Sequence, residues 1–147
     1  MVRNRSVPVD TVLPHLTYQD VAEAVTWLSR VFDFTEHYRY GKPGGEVAGA
    51  QMFLGSAWIM LNSPGSDSAS PAQLGAHTQS LTVFVTDVAA HYDRAKSAGA
   101  AIVEDLHETV YGELQYGAVD PEGHHWLFAE HARDVSPAAW GATVASR

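Results

Sequence analysis

The sequence predicts an α+β fold in which one βαβββ module occurs twice within a single domain. Three observations predict it. Two helix patterns each begin after an aspartate suited to a helix N-cap, Asp20 and Asp87. Each helix pattern is preceded by one short strand pattern and followed by three. Finally, an offset of 67 residues aligns QDVAEA at 19–24 with TDVAAH at 86–91, as an internal repeat requires.

The repeat sets the predicted organisation of the chain as one domain over residues 1–147. Module one is expected over about 10–62 and module two over about 80–131, with a Ser-, Pro- and Gly-rich linker at 63–79 and a tail at 132–147. Two such modules can pair into a curved, half-closed mixed sheet with the helices on its convex side. The concave side would then form the cavity in which a ligand binds.

Module one opens with an apolar strand pattern at 11–18, and the helix pattern VAEAVTWLSRVF follows Asp20. The apolar residues of this segment recur at helical spacing, which gives the helix one face to lie on a sheet. Three strands are predicted after it, separated by the breaker-rich GKPGG and by Gly55-Ser56. They are FTEHYRY, EVAGAQMFL and AWIML.

Module two repeats this order of elements. The strand SLTVFV leads to a helix that begins after Asp87 and stops at Gly99. Three strands are again predicted: AIVED, a stretch around VYGELQYGAV, and HHWLFAEH. The turn between the last two is Asp-Pro-Glu-Gly at 120–123. Turn chemistry explains these residues fully, so they are interpreted as structural and not as catalytic.

Charge and composition limit the classes of partner. The chain carries a formal charge of −8 and a pI near 5.3, so nucleic acid and anionic membranes would repel it. It has no cysteine, so a metal would need His, Asp or Glu ligands. The chain has neither a signal-peptide pattern nor an uncharged apolar run long enough to span a bilayer. We therefore expect a cytoplasmic protein that binds neither nucleic acid nor membranes.

Three segments together carry a resemblance to a known superfamily: 14–34 (PHLTYQDVAEAVTWLSRVFDF), 83–100 (VFVTDVAAHYDRAKSAGA) and 110–131 (VYGELQYGAVDPEGHHWLFAEH). Their order and spacing are similar to those of vicinal oxygen chelate proteins, which include glyoxalases, bleomycin resistance proteins and dioxygenases. The element Asp-Pro-x-Gly-His-x-Trp at 120–126 is similar to the PhnB-like or bleomycin-resistance-like branch. The resemblance covers nearly the whole chain and implies the paired-module fold.

The resemblance also implies four metal-ligand positions, on the first and last strand of each module. Metal-dependent members carry His or Glu there, whereas this chain has Leu13, Met60, Ser80 and Leu127. The offset of 67 residues relates these four positions in pairs, from 13 to 80 and from 60 to 127. Leucine and methionine offer a divalent metal neither charge nor strong lone pairs. We therefore expect no metal at these positions, and no cofactor.

Strand alternation divides the predicted strands into two faces. The residues expected to face the helices are Ile59, Leu61, Leu81, Val83, Val85, Trp126 and Phe128. The residues expected to line the cavity and bind a ligand are Leu13, His15, Thr17, Trp58, Met60, Asn62, Ser80, Thr82, Phe84, His125, Leu127 and Ala129. Such a lining suits a flat or aromatic organic molecule, although aromatic residues on strands also serve as ordinary packing.

Two functions from different classes fit this lining. The first is a metal-independent protein that binds a small, largely apolar or aromatic molecule, as antibiotic-sequestering members of the superfamily do. The second is a lyase, isomerase or dioxygenase that uses His15 as a general base, or a displaced metal site built from His15, His125 and Glu113 or Glu130. A structural role for His15, as a ring fixed by a hydrogen bond to a neighbouring strand, is equally open.

A homodimer, domain-swapped or side by side, is implied by the resemblance, because antibiotic-binding relatives place their ligand crevices at the subunit interface. Trp140 in the tail is the candidate anchor of such an interface. A third possibility is a domain that only dimerises and binds other proteins. It predicts that no small molecule shifts the melting temperature.

Overall fold

The computed structural model describes residues 2–9 and 11–146, and it contains two four-stranded mixed sheets. The chain divides into two compact units, with the boundary between Ala76 and His77, inside the predicted linker. Each unit holds one βαβββ module, so the predicted α+β class and the tandem repeat are confirmed. None of the helices in the described ranges is long and apolar enough to cross a membrane.

Module one forms a sheet with the strand order β1-β4-β3-β2. Its elements are β1 (His15–Thr17), α1 (Val21–Phe32), β2 (Thr35–Gly41), β3 (Val47–Leu54) and β4 (Ala57–Asn62). Strands β1 and β4 run parallel, and the other neighbours are antiparallel. The first strand is shorter than the predicted 11–18, so Leu13 precedes it.

Helix α1 covers one face of this sheet. The carboxylate of Asp20 accepts a hydrogen bond from the Glu23 backbone N–H and caps the first turn, while Asp33 ends the helix with φ 67°. The helix packs against β2 and β3. Burying the large apolar side chains of this face contributes roughly 1.5–3 kcal/mol each. The buried residues of the helix are Val21, Ala24, Val25, Leu28, Val31 and Phe32.

The linker contains an element that composition did not predict. Residues Pro71–Leu74 form a one-turn helix, α2. Ser70 and Gln73 make a capping box, in which each side chain accepts a hydrogen bond from the other residue's backbone N–H. Proline at the first position has a backbone angle suited to a helix start. The prediction of a linker without any element was therefore wrong at this turn.

Module two forms a sheet with the strand order β5-β8-β7-β6. Its elements are β5 (Ser80–Phe84), α3 (Val88–Ser97), β6 (Ala101–Glu108), β7 (Glu113–Val119) and β8 (His125–His131). Helix α3 packs against β6, β7 and β8, so it covers one face of its own sheet. The two modules therefore share one topology.

The strand register repeats along with the topology. In module one His15 pairs with Met60 across the parallel strands, and in module two Thr82 pairs with Leu127. Both partners are shifted by the 67 residues that the sequence alignment predicted. The positions that correspond to each other in sequence are therefore equivalent in the two sheets.

The core of module two includes a buried hydrogen bond between α3 and β7. His91 Nδ1 lies 2.5 Å from the Tyr116 hydroxyl, and both side chains are buried. Burial raises the pKa of Tyr116 far above its ordinary value, so the phenol stays neutral. This pair satisfies two polar groups within an apolar core that includes Phe128.

The turn between β7 and β8 is organised by one buried carboxylate. Asp120 accepts hydrogen bonds from the backbone N–H groups of Glu122 and His124, each at 3.0 Å. Its second oxygen accepts a 3.1 Å bond from the indole nitrogen of Trp126, which is almost fully buried. These contacts give Asp120 the structural role that the turn pattern indicated.

The tail makes contacts with module two at its start and at Trp140. The backbone N–H groups of Ala132 and Arg133 bond to the carbonyl oxygen of Gly112, which ties the start of the tail to the β6–β7 turn. A 3₁₀ turn at Pro137–Trp140 then places the Trp140 ring edge-on to Tyr111, with ring centroids 5.8 Å apart. The tail is therefore part of module two.

Candidate functional site

The face of the first sheet opposite α1, here called the open face of module one, carries most of the residues predicted to bind a ligand in that half. Leu16, Ile59 and Leu61 are buried. By strand alternation they lie on the α1 side, and their neighbours His15 and Trp58 lie on the open face. The predicted separation of the two faces is therefore consistent with the burial observed along β1 and β4.

A chain of hydrogen bonds crosses one end of the open face. The Tyr40 hydroxyl donates to Asn62 Oδ1 at 3.4 Å, and Asn62 Nδ2 lies 3.0 Å from His15 Nδ1. The Tyr40 ring lies over Gly49, where a Cβ atom would approach the ring to 2.3 Å. These hydrogen bonds thus link β1 to β2 through Asn62 on β4.

A second network occupies the middle of the same face. His37 Nδ1 lies 2.6 Å from Gln51 Oε1, and Gln51 Nε2 donates to the Met60 sulfur at 3.3 Å. The Tyr38 hydroxyl also points at this sulfur, at 3.8 Å. Gln51 is completely buried and Met60 retains only 7% exposure. Met60 therefore lies beneath its neighbours, and little of its side chain is accessible to a ligand.

Trp58 supplies the aromatic surface beside this network. Its ring centroid lies 4.8 Å from that of Phe53 and 5.5 Å from that of His37, the latter edge-on. Trp58 is only partly buried, whereas the His15 and His37 side chains are exposed. A flat molecule could lie against the indole with the His37 imidazole beside it.

Sequence reasoning missed several residues of this face. His37, Tyr38, Tyr40 and Gln51 take part in its hydrogen bonds but were not among the predicted site residues. The register of β2 against β3 shifts at His37, which disturbs strict alternation there. Of the predicted residues, Thr17 lies half-buried beside Asn62 in the parallel register, and Leu13 lies before the strand.

The corresponding open face of module two has a different character. Ser80, Thr82 and Phe84 lie on its edge strand β5, and Phe84 is 54% exposed. Leu127 is partly buried, while Ala129 is fully buried. Ala129 was expected to line a cavity, but its methyl group sits between larger neighbours in the sheet register. The expected cavity lining is therefore incomplete at this position.

His125, another predicted site residue, stacks on His77 from the linker, with ring centroids 3.7 Å apart and planes 16° from parallel. Partial burial and the charge of a protonated His77 lower the pKa of His125, and Asp120 acts in the opposite direction. Two stacked imidazoles tolerate at most one positive charge comfortably. The pair is therefore expected to respond to acid.

The sign of this pH dependence follows from the lowered pKa. Below about pH 6.5 the unfolded chain binds protons more readily than the folded protein, so stability is complete above that pH and falls as the pH decreases. We predict that the melting temperature of His77→Gln falls less on acidification than that of the wild type. The difference should be small because solvent screens the charges on the two rings. Differential scanning calorimetry across this range measures it, with His107→Gln as the control. Parallel curves for wild type and His77→Gln would contradict the prediction.

The far end of β8 carries a carboxylate–imidazole pair. His131 Nδ1 lies 2.8 and 2.9 Å from the two oxygens of Glu113, its partner in the β7–β8 register. The Phe84 ring lies 5.1 Å from the His131 ring. A cleft of about 500 Å³ beside the pair is also lined by Tyr111, Arg133 and neighbouring tail residues.

The two glutamates considered from the sequence for a displaced metal site make other contacts. Glu130 accepts a hydrogen bond from the Val88 backbone N–H at 3.1 Å, so its carboxylate serves the start of α3. Glu113 is engaged with His131. Within 2–9 and 11–146, no three His, Asp or Glu side chains are grouped so that they could hold one ion.

The duplicated βαβββ module defines the class of protein, a tandem-module α+β domain of the glyoxalase type. The family model of the Glyoxalase/Bleomycin resistance protein/Dioxygenase superfamily matches residues 9–128, and the chain belongs to this superfamily. Its membership confirms the resemblance carried by the sequence motifs.

Relatives and solved structures agree with this assignment. An uncharacterized protein of Mycobacterium bovis is 35% identical over 129 residues, which cover 84% of each chain. The crystal structure of TioX from Micromonospora sp. ML1 is 36% identical, with a TM-score of 0.68 over 81% of this chain and 96% of TioX. A bleomycin resistance determinant encoded on transposon Tn5 is 17% identical, with a TM-score of 0.67 over 85% of this chain and all of that chain, and shows the fold alone.

Proposed function

We propose that this protein binds a small, largely apolar or aromatic organic molecule, without a metal at the four positions that carry ligands in metal-dependent relatives. The open face of module one is the proposed site. The observation that carries the proposal is the combination of a partly exposed Trp58 with two hydrogen-bonded networks, around Asn62 and around Gln51. A planar apolar surface bordered by a few fixed polar groups is typical of small-molecule sites.

The chemistry of the four positions supports binding without a metal. Met60 offers a thioether that already receives hydrogen bonds from Gln51 and Tyr38, and Leu13 and Leu127 offer only hydrocarbon. Sequestration of a ligand needs no activated water or Lewis acid. One structural neighbour is named as a bleomycin resistance determinant. We therefore include the sequestration of an antibiotic in the proposal, as the role that such binding would have in the cell.

The remaining predicted residues belong to this proposal as a second surface. Phe84, with Ser80, Thr82, His125 and Leu127 beside it, offers a stacking surface on the open face of module two. A homodimer is part of the same proposal, with exposed Trp140 as its candidate anchor. Light scattering of the purified protein during gel filtration tests the dimer directly.

Binding is tested with planar probes and a Trp58→Ala variant. Isothermal titration calorimetry with naphthol, quinoline and acridine should find at least one that binds. Trp58→Ala should weaken that probe about 10-fold, because aromatic stacking and apolar burial together are worth about 1.4 kcal/mol or more. Trp27→Ala serves as the control, since it removes a partly buried indole from α1, on the other side of the sheet. The proposal fails if no probe binds, or if the Trp58 variant binds as tightly as the wild type.

The enzymatic alternative remains a prediction with a different outcome. It requires His15 to accept a proton from a substrate. The hydrogen bond from the Asn62 amide favours a donor role for this ring instead, because it occupies the Nδ1 lone pair. A lyase, isomerase or dioxygenase activity that disappears in His15→Phe while the protein stays folded would favour the enzyme.

A further inference from the structure

We propose that the open face of module one selects planar aromatic molecules that carry a hydrogen-bond acceptor at one end and a donor at the other. His15 and His37 lie on the two edge strands of this sheet, β1 and β2, and present opposite hydrogen-bonding groups. The inference rests on the proposed function and names its ligand class. Neither residue type nor sequence spacing predicts it, because it depends on which nitrogen of each ring holds a proton.

The Asn62 amide fixes His15 as a donor. Asn62 Oδ1 accepts from the Tyr40 hydroxyl at 3.4 Å, and the amide NH₂ group faces His15 Nδ1 at 3.0 Å. An amide NH₂ can only donate, so Nδ1 must carry a lone pair. The neutral ring then holds its proton on Nε2. A ligand that reaches His15 Nε2 therefore meets a donor.

The Gln51 amide fixes His37 in the opposite form. Its Nε2 points at the Met60 sulfur at 3.3 Å, an arrangement in which sulfur accepts. Its Oε1 consequently faces His37 Nδ1 at 2.6 Å and accepts a hydrogen bond from it. The neutral ring then has a lone pair on Nε2. A ligand that reaches His37 Nε2 therefore meets an acceptor.

The sheet sets the separation between the two groups. His15 pairs with Met60, and Met60 pairs with Gln51, to which His37 is bonded. His37 lies on β2, so three strand spacings of about 4.8 Å each, roughly 14 Å in all, separate its backbone from that of His15 in the order β1-β4-β3-β2. Both imidazoles are exposed, and neither Nε2 has a hydrogen-bond partner among residues 2–9 and 11–146.

These positions describe one class of ligand. Two or three fused aromatic rings, with a polar group at each end and a hydrogen bond beyond each group, span such a distance and can lie on Trp58, whose edge-on contact places it next to His37. A carbonyl oxygen at one end would accept from His15, and a phenolic O–H or ring N–H at the other would donate to His37. The class is therefore a fused-ring hydroxyaryl carbonyl compound or its N–H counterpart.

The protonated nitrogens can be observed without any ligand. Long-range ¹H–¹⁵N spectra distinguish the two neutral tautomers of each ring. We expect Nε2–H for His15 and Nδ1–H for His37. Asn62→Ala should release the preference of His15 and leave His37 unchanged. The same tautomer on both rings would overturn the inference, whatever the protein binds.

Ligand selection is tested with four matched naphthalene probes: the unsubstituted ring system, a naphthol, an acetylnaphthalene, and a naphthalene with the hydroxyl and acetyl groups at opposite ends. Calorimetry should rank the doubly substituted probe about 5-fold tighter than either singly substituted one, since one hydrogen bond contributes about 1 kcal/mol. His37→Phe should abolish the advantage of the hydroxyl only. His15→Phe should abolish the advantage of the acetyl only.

Controls separate this inference from the proposed function. His107→Phe replaces an exposed histidine of module two and should preserve the ranking. If all four probes bind equally and Trp58→Ala still weakens them, the protein binds aromatic molecules but the inference is wrong. A reversed dependence, with His15 recognising the hydroxyl, would also overturn it. If none of the four probes binds, the inference fails together with the binding site proposed on this face.

Discussion

Replacing Asp120 by alanine is expected to lower the free energy of unfolding by about 3–5 kcal/mol, which leaves a typical domain only marginally folded. The carboxylate is buried and accepts hydrogen bonds from the Glu122 and His124 backbone and from the Trp126 indole. Alanine leaves all three donors without this acceptor in a place that water does not reach. Urea unfolding followed by circular dichroism measures the loss. A change below about 1 kcal/mol, the size of an exposed helix-cap loss, would contradict the role assigned to Asp120.

An amide at the same position separates the three hydrogen bonds. In Asp120→Asn the oxygen can still accept from the two backbone groups, but the NH₂ group then faces the N–H of Trp126. We expect an intermediate loss of about 1–3 kcal/mol, because the indole loses its hydrogen bond to Asp120. Trp126→Phe removes the donor, so its cost should be smaller in the Asp120→Asn background than in the wild type. Strictly additive effects would show that the indole contact contributes nothing.

Local and repeated signals explain why most of the fold could be predicted from sequence. The caps Asp20 and Asp87 act within one helical turn, so the residue type alone indicates where each helix begins. The repeat then transfers the register of one module to the other, as the equivalent β1–β4 and β5–β8 pairings show. Helix starts and strand register can therefore be predicted from the sequence, because the first depend on neighbouring residues and the second follows from the internal repeat.

The side-chain networks of the candidate site could not be predicted in the same way. The contact between His37 and Gln51 depends on a register shift in β2, which exchanges the expected directions of neighbouring side chains. Gln51 lies in the largely apolar segment EVAGAQMFL, where nothing in the pattern indicates that this polar side chain is buried. Its role becomes visible only when Met60 and His37 are placed beside it.

The missed helical turn has a different physical cause. A run rich in Ser, Pro and Gly usually indicates a flexible chain. The prediction followed this average composition and missed a local signal for a helical turn. The spacing of Ser70 and Gln73 matches a capping box, and Pro71 suits the first helical position. Four residues are too few for helical periodicity to be seen, so the cap was the only signal available.

Replacing Gly112 by alanine is expected to destabilise module two by about 2–4 kcal/mol and to loosen the tail. Gly112 has φ 91°, and a Cβ atom there would lie 2.3 Å from the Arg133 carbonyl oxygen and 3.0 Å from Val135 Cγ2. Backbone atoms cannot move aside as a flexible side chain can. The chain must therefore give up the bonds from Ala132 and Arg133 to the Gly112 carbonyl, or distort the turn between β6 and β7.

Gly99→Ala provides the matched control, because it isolates backbone strain from collision. Gly99 has φ 87°, nearly the same as Gly112, but no atom lies within 4 Å of its Cβ position. Its cost should therefore be the strain alone, about 1 kcal/mol. The difference between the unfolding free energies of the two variants measures how strongly the tail binds to module two. Gly112→Ala cannot lose more than this beyond the strain, because the tail can detach and relieve the collision. Faster tryptic cleavage after Arg133 in Gly112→Ala than in Gly99→Ala would identify detachment as the response, whereas equal losses of stability would show that the tail does not contribute to module two.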